Sequence, residues 1–256
     1  MAPLVIRHVH MQRPPEETLP EFHGIGPTKR ALDILLAGGA LLVTLPLWLL
    51  IALAIKLDSR GPVFYRQERV GQNRRRHERR RQRSLPGSER REQAGPAARD
   101  RRRTDRRTEP GPGRLFRIVK FRSMRQDAEA AGPVWAVRDD PRVTRVGRLL
   151  RRSRLDELPQ LWNILMGEMS LVGPRPERPF FVKRLMERFP GYRGRLQVPP
   201  GLTGLAQIER AYDEDEEDVR RKLAYDLFYI DHRHFLVDLK ILVRTLGVVL
   251  SRKGSR

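Results

Sequence analysis

A continuous apolar run near the start of the chain constrains the possible folds more than any other feature. It covers residues 31–55 and reads ALDILLAGGALLVTLPLWLLIALAI. About 20 apolar residues suffice to cross a bilayer as one helix, so length alone favours a single spanning helix. However, Pro46 lies inside the run, where it would remove a backbone hydrogen bond and kink the helix. Basic residues also flank both ends of the run: Lys29, Arg30, Lys56, Arg60, Arg66 and Arg69.

Positive charge at both ends of the run favours placing both ends on the cytoplasmic side of a membrane. A helix that breaks at Pro46 and returns to the same leaflet satisfies the charges and the proline together. The sequence therefore predicts a re-entrant helix, with a spanning helix and a buried helix of a soluble protein as alternatives. Near the break, the Thr44 hydroxyl is expected to bond freed backbone groups. Near the interface, Asp33 is expected to pair with a neighbouring cation, Lys29 or Arg30.

The charge balance of the chain limits its partners. Of 256 residues, 52 are Lys or Arg and 31 are Asp or Glu, which leaves a net charge of +21. Such an excess indicates an anionic partner: a nucleic acid, an anionic membrane or a phosphorylated substrate. The chain has no cysteine, which excludes disulfides, thiolate metal sites and a cysteine nucleophile and is compatible with the cytoplasm. Residues 1–28 lack the pattern of a signal peptide and are predicted to be a mobile tail.

Two strand-like segments frame a basic insertion. Residues 62–71 and 115–124 are rich in aromatic and β-branched residues, so they are expected to pair as a β-hairpin. The 42 residues between them, 72–113, contain 15 Arg, six Asp or Glu and almost no large apolar residues. This segment cannot bury enough apolar surface to fold, and it is predicted to be disordered. It is either a tether to an anionic membrane or an inert loop, whereas its lack of aromatic residues for base stacking disfavours nucleic acid.

Two adjacent carboxylates, Asp156 and Glu157, lie among clustered arginines. Three arginines precede them and one follows in a proline-flanked turn: Arg151, Arg152, Arg154 and Pro174-Arg175-Pro176. Apolar residues at helical spacing come directly after the pair: Leu158, Leu161, Trp162, Leu165 and Met166. Asp156 is expected at the helix N-cap, where free N–H groups and the helix dipole suit a phosphate. An ionised carboxylate there can attack phosphorus, and an ordinary helix cap with solvated arginines is the alternative.

The rest of the chain is predicted to be mainly helical. Residues 143–152 are expected to form a basic helix or strand, and residues 180–189 an amphipathic helix that lies on a membrane or packs on the core. A helical pattern over residues 219–250 breaks near His232. This histidine and His234 lack the i, i+4 spacing of a helical metal site, so we assign them a structural or surface role.

Two short segments lie between these predicted helices. A loop rich in proline and glycine covers residues 199–207, and its Gly201 and Gly204 would allow backbone to approach a ligand closely. An acidic run over residues 213–218 is expected at an exposed helix start, where negative charge is favourable.

Residues 29–71 and 114–250 resemble the bacterial sugar transferase family, the monotopic phosphoglycosyl transferases. Five blocks in the family's order carry the resemblance: KRALDILLAGGALLVTLPLWLLIALAIKLDSRGPVFYRQERVG, FRIVKFRSM, SRLDELPQLWNILMGEMSLVGPRPE, PGLTGLAQ and YDLFYIDHRHFLVDLKIL. Two features depart from it: the insertion 72–113 stands where the family has a short loop, and Leu45 stands where many relatives have Ser. The resemblance implies a re-entrant helix and transfer of a sugar phosphate from a UDP-sugar to undecaprenyl (polyprenyl) phosphate.

The resemblance also implies roles for individual residues. Asp156 and Glu157 would form a catalytic dyad, with Mg²⁺ as cofactor, Asp156 as a metal ligand, and a phosphosugar–aspartate intermediate. Glu157 would position or deprotonate the acceptor. The residues implied to bind substrate phosphate or to shape the nucleotide pocket are Arg151, Arg154, Pro174, Arg175 and Pro176.

Together these observations predict an α+β, mainly helical, monotopic membrane protein with a Pro-kinked re-entrant helix, a short β-hairpin and amphipathic interfacial helices. Its parts are a tail (1–28), the re-entrant helix (29–57) and a catalytic domain (58–256) that the insertion interrupts. We expect it at the cytoplasmic face of the bacterial inner membrane, initiating synthesis of exopolysaccharide, O-antigen, capsule or another glycan. The alternatives are a non-catalytic, membrane-tethered basic binding protein and an enzyme disabled by its insertion. The sequence does not specify which sugar is transferred, and it is compatible with a homo-oligomer.

Overall fold

The structure is a computed structural model that describes residues 26–73, 113–130, 132, 140–209 and 216–250. Of the predicted N-terminal tail only residues 26–28 are described, and helix α1 already begins at Pro27. Of the basic insertion only residues 72, 73 and 113 are described. The predictions of a mobile tail and of a disordered insertion therefore concern residues outside the described part of the chain.

The described residues form a mainly helical fold with short strands, as predicted. The helices are α1 (Pro27–Asp58), α2 (Arg145–Arg152), α3 (Gln160–Leu165), α4 (Pro179–Arg188), α5 (Leu205–Glu209), α6 (Glu216–His232) and α7 (Phe235–Leu250). The strands are β1 (Phe64–Val70), β2 (Leu115–Phe121), β3 (Ser170–Val172) and β4 (Gly201–Thr203), and 3₁₀ helices cover Leu155–Glu157 and Pro190–Gln197. The expected break in the C-terminal helical pattern is confirmed, because α6 ends at His232 and α7 begins at Phe235.

Strands β1 and β2 form the predicted antiparallel hairpin. Its register places Tyr65 opposite Lys120 and Gln67 opposite Ile118. Successive side chains alternate between the two faces of a strand, so these four side chains share one face, on which Ile118 is buried. This face therefore combines apolar side chains of β2 with polar side chains of β1.

The main hydrophobic core lies where α1, α3, β3 and α6 meet, and it includes Ala37, Leu161, Ile164, Val172, Tyr229 and Ile230. Complete burial of one such side chain stabilises the fold by about 1.5–3 kcal/mol. The predicted apolar face after the dyad is partly wrong, because Trp162 and Met166 are 53% and 61% exposed whereas Ile164 is buried. The regular helix starts only after Pro159, and this moves its inward face by about one residue.

Strand β3 pairs in parallel with β4, and this pair holds the turn at residues 174–176 in place. The Gly173 N–H donates to the Thr203 carbonyl, and the Gly201 N–H donates to the Pro174 carbonyl, both at 2.9 Å. A Cβ on Gly201 would lie 2.1 Å from the Gly173 nitrogen, so this position requires glycine. The close approach expected at Gly201 is therefore between two backbone segments of the protein and not between backbone and ligand.

Helix α1 packs on the domain with one side and exposes the other. Ala37, Ile51 and Ile55 are buried, whereas apolar residues more than half exposed occupy the remaining surface: Leu35, Leu42, Val43, Leu45, Leu49, Leu50, Leu53 and Leu57. Only 11% of its most apolar 18-residue window is buried. A helix of a soluble core would be mostly buried, so this exposed apolar side fits contact with lipid instead.

Pro46 lies inside α1 without ending it, and the structure has one helix of 32 residues where two limbs were expected. The Thr44 hydroxyl donates to the Ala40 carbonyl at 2.7 Å. It does not bond the carbonyl of Leu42, which Pro46 deprives of its usual N–H partner. The re-entrant course of this helix concerns its path through a bilayer and stays a prediction.

Three polar residues near the start of α1 tie it to the domain. Lys29 Nζ donates to Asp238 Oδ2 of α7 at 2.6 Å, and Arg30 donates to two carbonyls at the end of α3 at 2.6 and 2.7 Å. Asp33 is buried and accepts hydrogen bonds in β3 from the Ser170 hydroxyl at 3.1 Å and from the next N–H at 2.9 Å. Both cations donate their hydrogen bonds to other acceptors, so the expected pairing of Asp33 is not a direct hydrogen bond; of the two, only the charge of Lys29 acts on Asp33, through space.

Candidate active site

The two carboxylates lie in a 3₁₀ turn and not at the start of an α-helix. Arg154 adopts the left-handed backbone conformation with φ 58°, and residues Leu155–Glu157 form the turn. Helix α3 begins at Gln160, directly after Pro159. Proline lacks a backbone N–H and suits a helix start, so the regular helix forms only beyond it. The prediction that Asp156 caps a helix is wrong, and neighbouring cations, not a helix dipole, supply the positive charge.

Glu157 is buried, and two cations hold it. Its Oε1 accepts hydrogen bonds from Lys120 Nζ at 2.7 Å and from Arg175 Nη2 at 2.8 Å. Burial alone would raise the pKa of Glu157, but the charges of Arg175 and Lys120 outweigh it and hold the pKa well below its ordinary value. Glu157 is consequently ionised at neutral pH and is a weak base.

Asp156 is as buried as its neighbour, at 8% exposure, yet it titrates differently. Burial raises the pKa of Asp156 to about 6, although the positive charge of Lys120 opposes this rise; the charge of Glu157 adds to it. At pH 7 the Asp156 carboxylate is mostly ionised. When the pKa values of two adjacent carboxylates are shifted in opposite directions, the two groups can take different roles in a reaction. Here Glu157 is a fixed anion, and Asp156 is the carboxylate with nucleophilic capacity.

Both carboxylates line a cavity of about 490 Å³, a volume typical of small-molecule sites. Its walls come from β1, β2, the loop after β2, the end of α2, the 3₁₀ turn that carries both carboxylates, the turn at 174–176, the 3₁₀ helix Pro190–Gln197 and helices α4 to α6. Among the described residues, eleven Lys or Arg and five Asp or Glu side chains line it. This excess of positive charge favours an anionic ligand.

The structure brings to this cavity the five charged residues to which the resemblance gave a role: Arg151, Arg154, Asp156, Glu157 and Arg175. Arg152, the other arginine of the sequence motif, does not line it. Pro174 and Pro176 do not line it. Their carbonyls accept hydrogen bonds from the Gly201 N–H at 2.9 Å and from Arg69 Nη1 at 3.0 Å. These prolines fix the turn that carries Arg175, and their implied role in shaping the nucleotide pocket stays a prediction.

Lys120 is a site residue that the sequence analysis missed. It lies partly buried beside Glu157, and desolvation lowers the pKa of Lys120 although the charge of Glu157 opposes that change. A signal for it does exist in β2, where Lys120 shares a face with Phe116 and Ile118, both buried. A lysine on the inward face of a strand indicates a buried anionic partner.

A second missed group supports Arg175 from behind. Arg195 forms an ion pair with Asp226 at 2.8 Å and donates to the Arg175 carbonyl at 3.0 Å. It also donates to the Tyr192 hydroxyl. On the cavity side, Arg175 Nη1 donates to Gln207 Oε1 at 3.3 Å. These residues come from separate parts of the chain, so no local sequence pattern predicts that they lie together.

The donor atoms of the site fit a Mg²⁺ ion that is shared with a substrate. Among the described residues, no three His, Asp or Glu side chains are grouped to hold a metal ion by themselves. Mg²⁺ usually takes one or two protein carboxylates and completes its shell with phosphate oxygens and water. Asp156 offers such a carboxylate on the cavity wall.

His232 lies away from this site. It stacks on Phe228 with ring centroids 4.1 Å apart, in the surface position expected for it.

Comparison with known proteins places these features in a family. The family model for the bacterial sugar transferases matches residues 25–111 and 92–252, two overlapping segments. The chain is 37% identical over 228 residues to the UDP-N-acetylgalactosamine-undecaprenyl-phosphate N-acetylgalactosaminephosphotransferase of Aeromonas hydrophila, a match that covers 89% of this chain and 45% of that protein.

Two further relatives match over similar lengths of this chain. The UDP-glucose:undecaprenyl-phosphate glucose-1-phosphate transferase of Caulobacter vibrioides is 38% identical, over 89% of this chain and 71% of that protein. The exopolysaccharide production protein PSS of Rhizobium leguminosarum bv. phaseoli is 35% identical, over 88% of this chain and 96% of that protein. The chain thus spans less than half of the Aeromonas relative and nearly all of the Rhizobium one. It belongs to the bacterial sugar transferase family, as its five sequence blocks predicted.

Proposed function

We propose that the protein transfers a sugar 1-phosphate from a UDP-sugar to undecaprenyl phosphate at the cytoplasmic face of the bacterial inner membrane. The observation that carries this proposal is the position of Asp156 beside the cation-bound Glu157 in an arginine-lined cavity. The relatives from Aeromonas and Caulobacter are named for UDP-sugars and undecaprenyl phosphate, which are both anionic. Such a transfer would initiate synthesis of an exopolysaccharide, O-antigen, capsule or related glycan.

In the first step, a carboxylate oxygen of Asp156 attacks the β-phosphorus of the UDP-sugar. The bond between that phosphorus and the oxygen bridging to the α-phosphate breaks, and UMP leaves with the electron pair. The sugar phosphate is then held on Asp156 as an acyl phosphate. A carboxylate that is mostly ionised at pH 7 needs no separate base for this attack.

In the second step, a phosphate oxygen of undecaprenyl phosphate attacks the same phosphorus. The acyl phosphate bond breaks, which regenerates the Asp156 carboxylate and yields the undecaprenyl diphosphate sugar. The acceptor phosphate is already anionic near neutral pH, and the low pKa of Glu157 makes it a poor base. We therefore assign Glu157 to positioning, since it holds Lys120 and Arg175 at the cavity.

The cations stabilise the negative charge of the transferred and leaving phosphates. Arg151, Arg154 and Arg175 line the cavity, and a guanidinium can donate two parallel hydrogen bonds to a phosphate. Fixed donors of this kind lower the barrier because they need no rearrangement as charge moves during the reaction. When bound by Asp156 and the diphosphate, Mg²⁺ would neutralise part of that charge.

Helix α1 supports a monotopic placement that brings the cavity to its lipid acceptor. Near its start, Lys29 Nζ donates to the Val172 carbonyl at 3.2 Å. Directly after its end, the Ser59 carbonyl accepts a hydrogen bond from Arg122 at 2.8 Å. Both ends of the helix thus contact one domain, whereas crossing the bilayer would separate them by its full thickness. The basic residues that flank the helix would then face the anionic lipids of the same leaflet.

The proposal is tested with full-length protein in nanodiscs, supplied with Mg²⁺, undecaprenyl phosphate and UDP-glucose or UDP-N-acetylgalactosamine. We expect release of UMP. When the lipid acceptor is withheld, we expect a sugar phosphate adduct on the peptide that contains Asp156, detected by mass spectrometry and lost on adding undecaprenyl phosphate. Asp156→Asn should abolish both signals, and Glu157→Gln should lower turnover severely.

The matched control is Asp127→Asn, which makes the same change at an exposed carboxylate on the loop after β2. It should leave UMP release unchanged. UMP release by folded Asp156→Asn protein at the wild-type rate would refute the assignment of the nucleophile. A wild-type protein that releases no UMP from any UDP-sugar would refute the transferase activity and favour the non-catalytic binding protein.

A further inference from the structure

Five side chains on one side of the cavity form a polar surface, which we call the β1 wall: Tyr65, Gln67, Arg69, Glu129 and Arg178. Three of them alternate along β1 and therefore share one face of that strand. Glu129 comes from the loop after β2, and Arg178 directly precedes α4. The phosphate chemistry described above uses none of the five.

A continuous network of hydrogen bonds connects the β1 wall. Gln67 Nε2 donates to the Tyr65 hydroxyl at 2.8 Å and to Glu129 Oε1 at 3.0 Å. Arg69 Nη2 donates to Gln67 Oε1 at 2.5 Å. Arg178 donates to both carboxylate oxygens of Glu129, each at 3.1 Å. The wall is thus held in one arrangement before any ligand binds, which reduces the entropy cost of recognition.

The β1 wall begins next to the catalytic dyad. Tyr65 lies directly opposite Lys120 in the hairpin, where Cβ atoms are about 4.5–5.5 Å apart. Lys120 in turn reaches Glu157 at 2.7 Å. Gln67 lies two residues further along β1, roughly 7 Å away. The wall therefore lies within reach of groups attached to a phosphate at Asp156.

The chemistry of the β1 wall differs from that of the phosphate-binding arginines, because both of its own arginines are paired with carboxylates: Arg69 with Glu177 at 3.7 Å and Arg178 with Glu129 at 3.1 Å. Glu129 brings a carboxylate with a 40% exposed side chain to the cavity, and a carboxylate repels phosphate oxygens. Partial burial, with the charge of Glu129, raises the pKa of Tyr65 to about 12, so its hydroxyl keeps the proton and remains a donor. A phenol, an amide and a carboxylate together offer the donors and acceptors that neutral hydroxyl groups need. An uncharged, hydroxyl-rich part of a ligand suits this wall better than a phosphate does.

We infer that the β1 wall binds neighbouring hydroxyl groups of the UDP-sugar, with the Glu129 carboxylate as their acceptor and Tyr65 and Gln67 as further partners. The inference rests on the proposed function, because it takes a UDP-sugar as the occupant of the cavity. Such hydroxyl pairs occur in the transferred sugar and in the ribose of the nucleotide. UDP separates these two sources, since it has the ribose and lacks the transferred sugar.

The test uses three variants that keep side-chain shape: Tyr65→Phe, Gln67→Met and Glu129→Gln. The matched control is Glu68→Gln, which makes the same change at an exposed carboxylate on the other face of β1. Full-length protein in nanodiscs receives Mg²⁺, undecaprenyl phosphate and one of four donors: UDP-glucose, UDP-galactose, UDP-N-acetylglucosamine or UDP-N-acetylgalactosamine. The measured quantities are kcat/KM for UMP release and the inhibition constants of UDP and 2′-deoxy-UDP.

Two results support the inference, and they identify the source of the hydroxyl groups. If the wall holds the transferred sugar, the variants lower kcat/KM by about tenfold, unequally among the four donors, with unchanged inhibition by UDP. If the wall holds the ribose, the variants raise the inhibition constant of UDP by about tenfold. In that case the wild-type preference for UDP over 2′-deoxy-UDP also disappears.

Other results overturn the inference. The inference fails if the variants have the kcat/KM and inhibition constants of wild type, or if their effects are no larger than that of Glu68→Gln. It also fails if the variants weaken the binding of UDP and 2′-deoxy-UDP and lower kcat/KM for all four donors by one common factor. The last pattern would mean that the wall only supports the fold. Active wild-type protein with such variants refutes this inference alone, whereas wild-type protein inactive on all four donors refutes the proposed function and the inference together.

Discussion

Lys120 Nζ and Glu157 Oε1 lie 2.7 Å apart, although 37 residues separate the two in sequence. The contact joins the end of β2 to the turn that carries both carboxylates. Arg175 binds the same oxygen at 2.8 Å, so two cations share one carboxylate charge. The resulting excess of positive charge lies beside Asp156, where a transferred phosphate would be attacked.

Replacing Lys120 by methionine tests this arrangement directly. Lys120→Met keeps the length of the side chain but removes one cation beside the dyad. A hydrogen bond to a charged group contributes about 1.5–3 kcal/mol, so we expect kcat for UMP release to fall by about 10- to 100-fold. Lys183→Met, at an exposed position of α4, is the matched control and should have no effect. Wild-type turnover by Lys120→Met would show that Arg175 alone suffices.

Stability at low pH should depend on Asp140. Hydrogen bonds from Arg142, at 2.5 to 3.0 Å, hold the pKa of Asp140 below its ordinary value of 3.8. A lowered pKa in the folded state stabilises the protein above the unfolded-state pKa, and this stabilisation is lost as the pH falls through the folded-state pKa. At pH 7 we expect Asp140→Asn to lower Tm by about 2–4 °C, the shift for a loss of about 1 kcal/mol.

The pH dependence of that difference is the informative measurement. Thermal unfolding of wild type and Asp140→Asn should converge as the pH is lowered below 3.8, since the wild-type carboxyl is then protonated as well. The exposed Asp127 provides the control, because Asp127→Asn should leave Tm unchanged at pH 7. A constant difference in Tm down to pH 2 would mean that the charge of Asp140 contributes nothing.

Single cysteines at the two ends of α1 would report its path relative to the membrane. The chain has no cysteine, so Thr28→Cys and Ser59→Cys can each be labelled without background. If the helix is re-entrant, both positions should resist an impermeant thiol reagent in intact cells and react after permeabilisation. Labelling of one position only from outside would establish a spanning helix.

Pro46 should influence the same equilibrium. Pro46→Ala restores a backbone N–H and removes the clash of the proline ring with the preceding turn, which favours a straight helix. We expect a fraction of Pro46→Ala molecules to adopt the spanning form, detected as partial external labelling of one end. Labelling identical to that of the parent protein would show that contacts with the domain, and not the proline, determine the path.

The basic insertion can be removed without disturbing its ends. Gln72 donates to the Gln197 carbonyl at 2.9 Å and the Asn73 N–H donates to the Leu196 carbonyl at 2.8 Å, so a short glycine-containing turn should replace residues 74–112 only. We expect UMP release in detergent to persist. If the insertion is a tether, binding to anionic liposomes should weaken and lose part of its salt dependence.

A second variant separates charge from length in that insertion. Replacing its arginines by glutamine keeps the number of residues, and it should weaken liposome binding as much as the deletion does. Liposome binding that stays at the wild-type level in both variants would identify an inert loop. Loss of UMP release by a folded deletion variant would instead make the segment part of the active site.

Several features were predictable from the sequence because they depend on near neighbours in the chain. An apolar run produces the exposed side of α1, and alternating β-branched and aromatic residues produce the hairpin. The adjacent carboxylates among arginines, together with the five sequence blocks, indicated the family. Propensity and periodicity act over a few residues, so these features need no knowledge of packing.

The tertiary structure decided what each charged residue binds. Asp33 accepts from β3 and not from Lys29 or Arg30, and Lys120 reaches Glu157 from another element. The 3₁₀ turn replaced the expected helix cap because Pro159 delays the start of α3. A buried charge must find a partner wherever packing supplies one, since an unpaired charge in the interior is too costly. That partner can lie anywhere in the chain, so periodicity in the sequence does not reveal it.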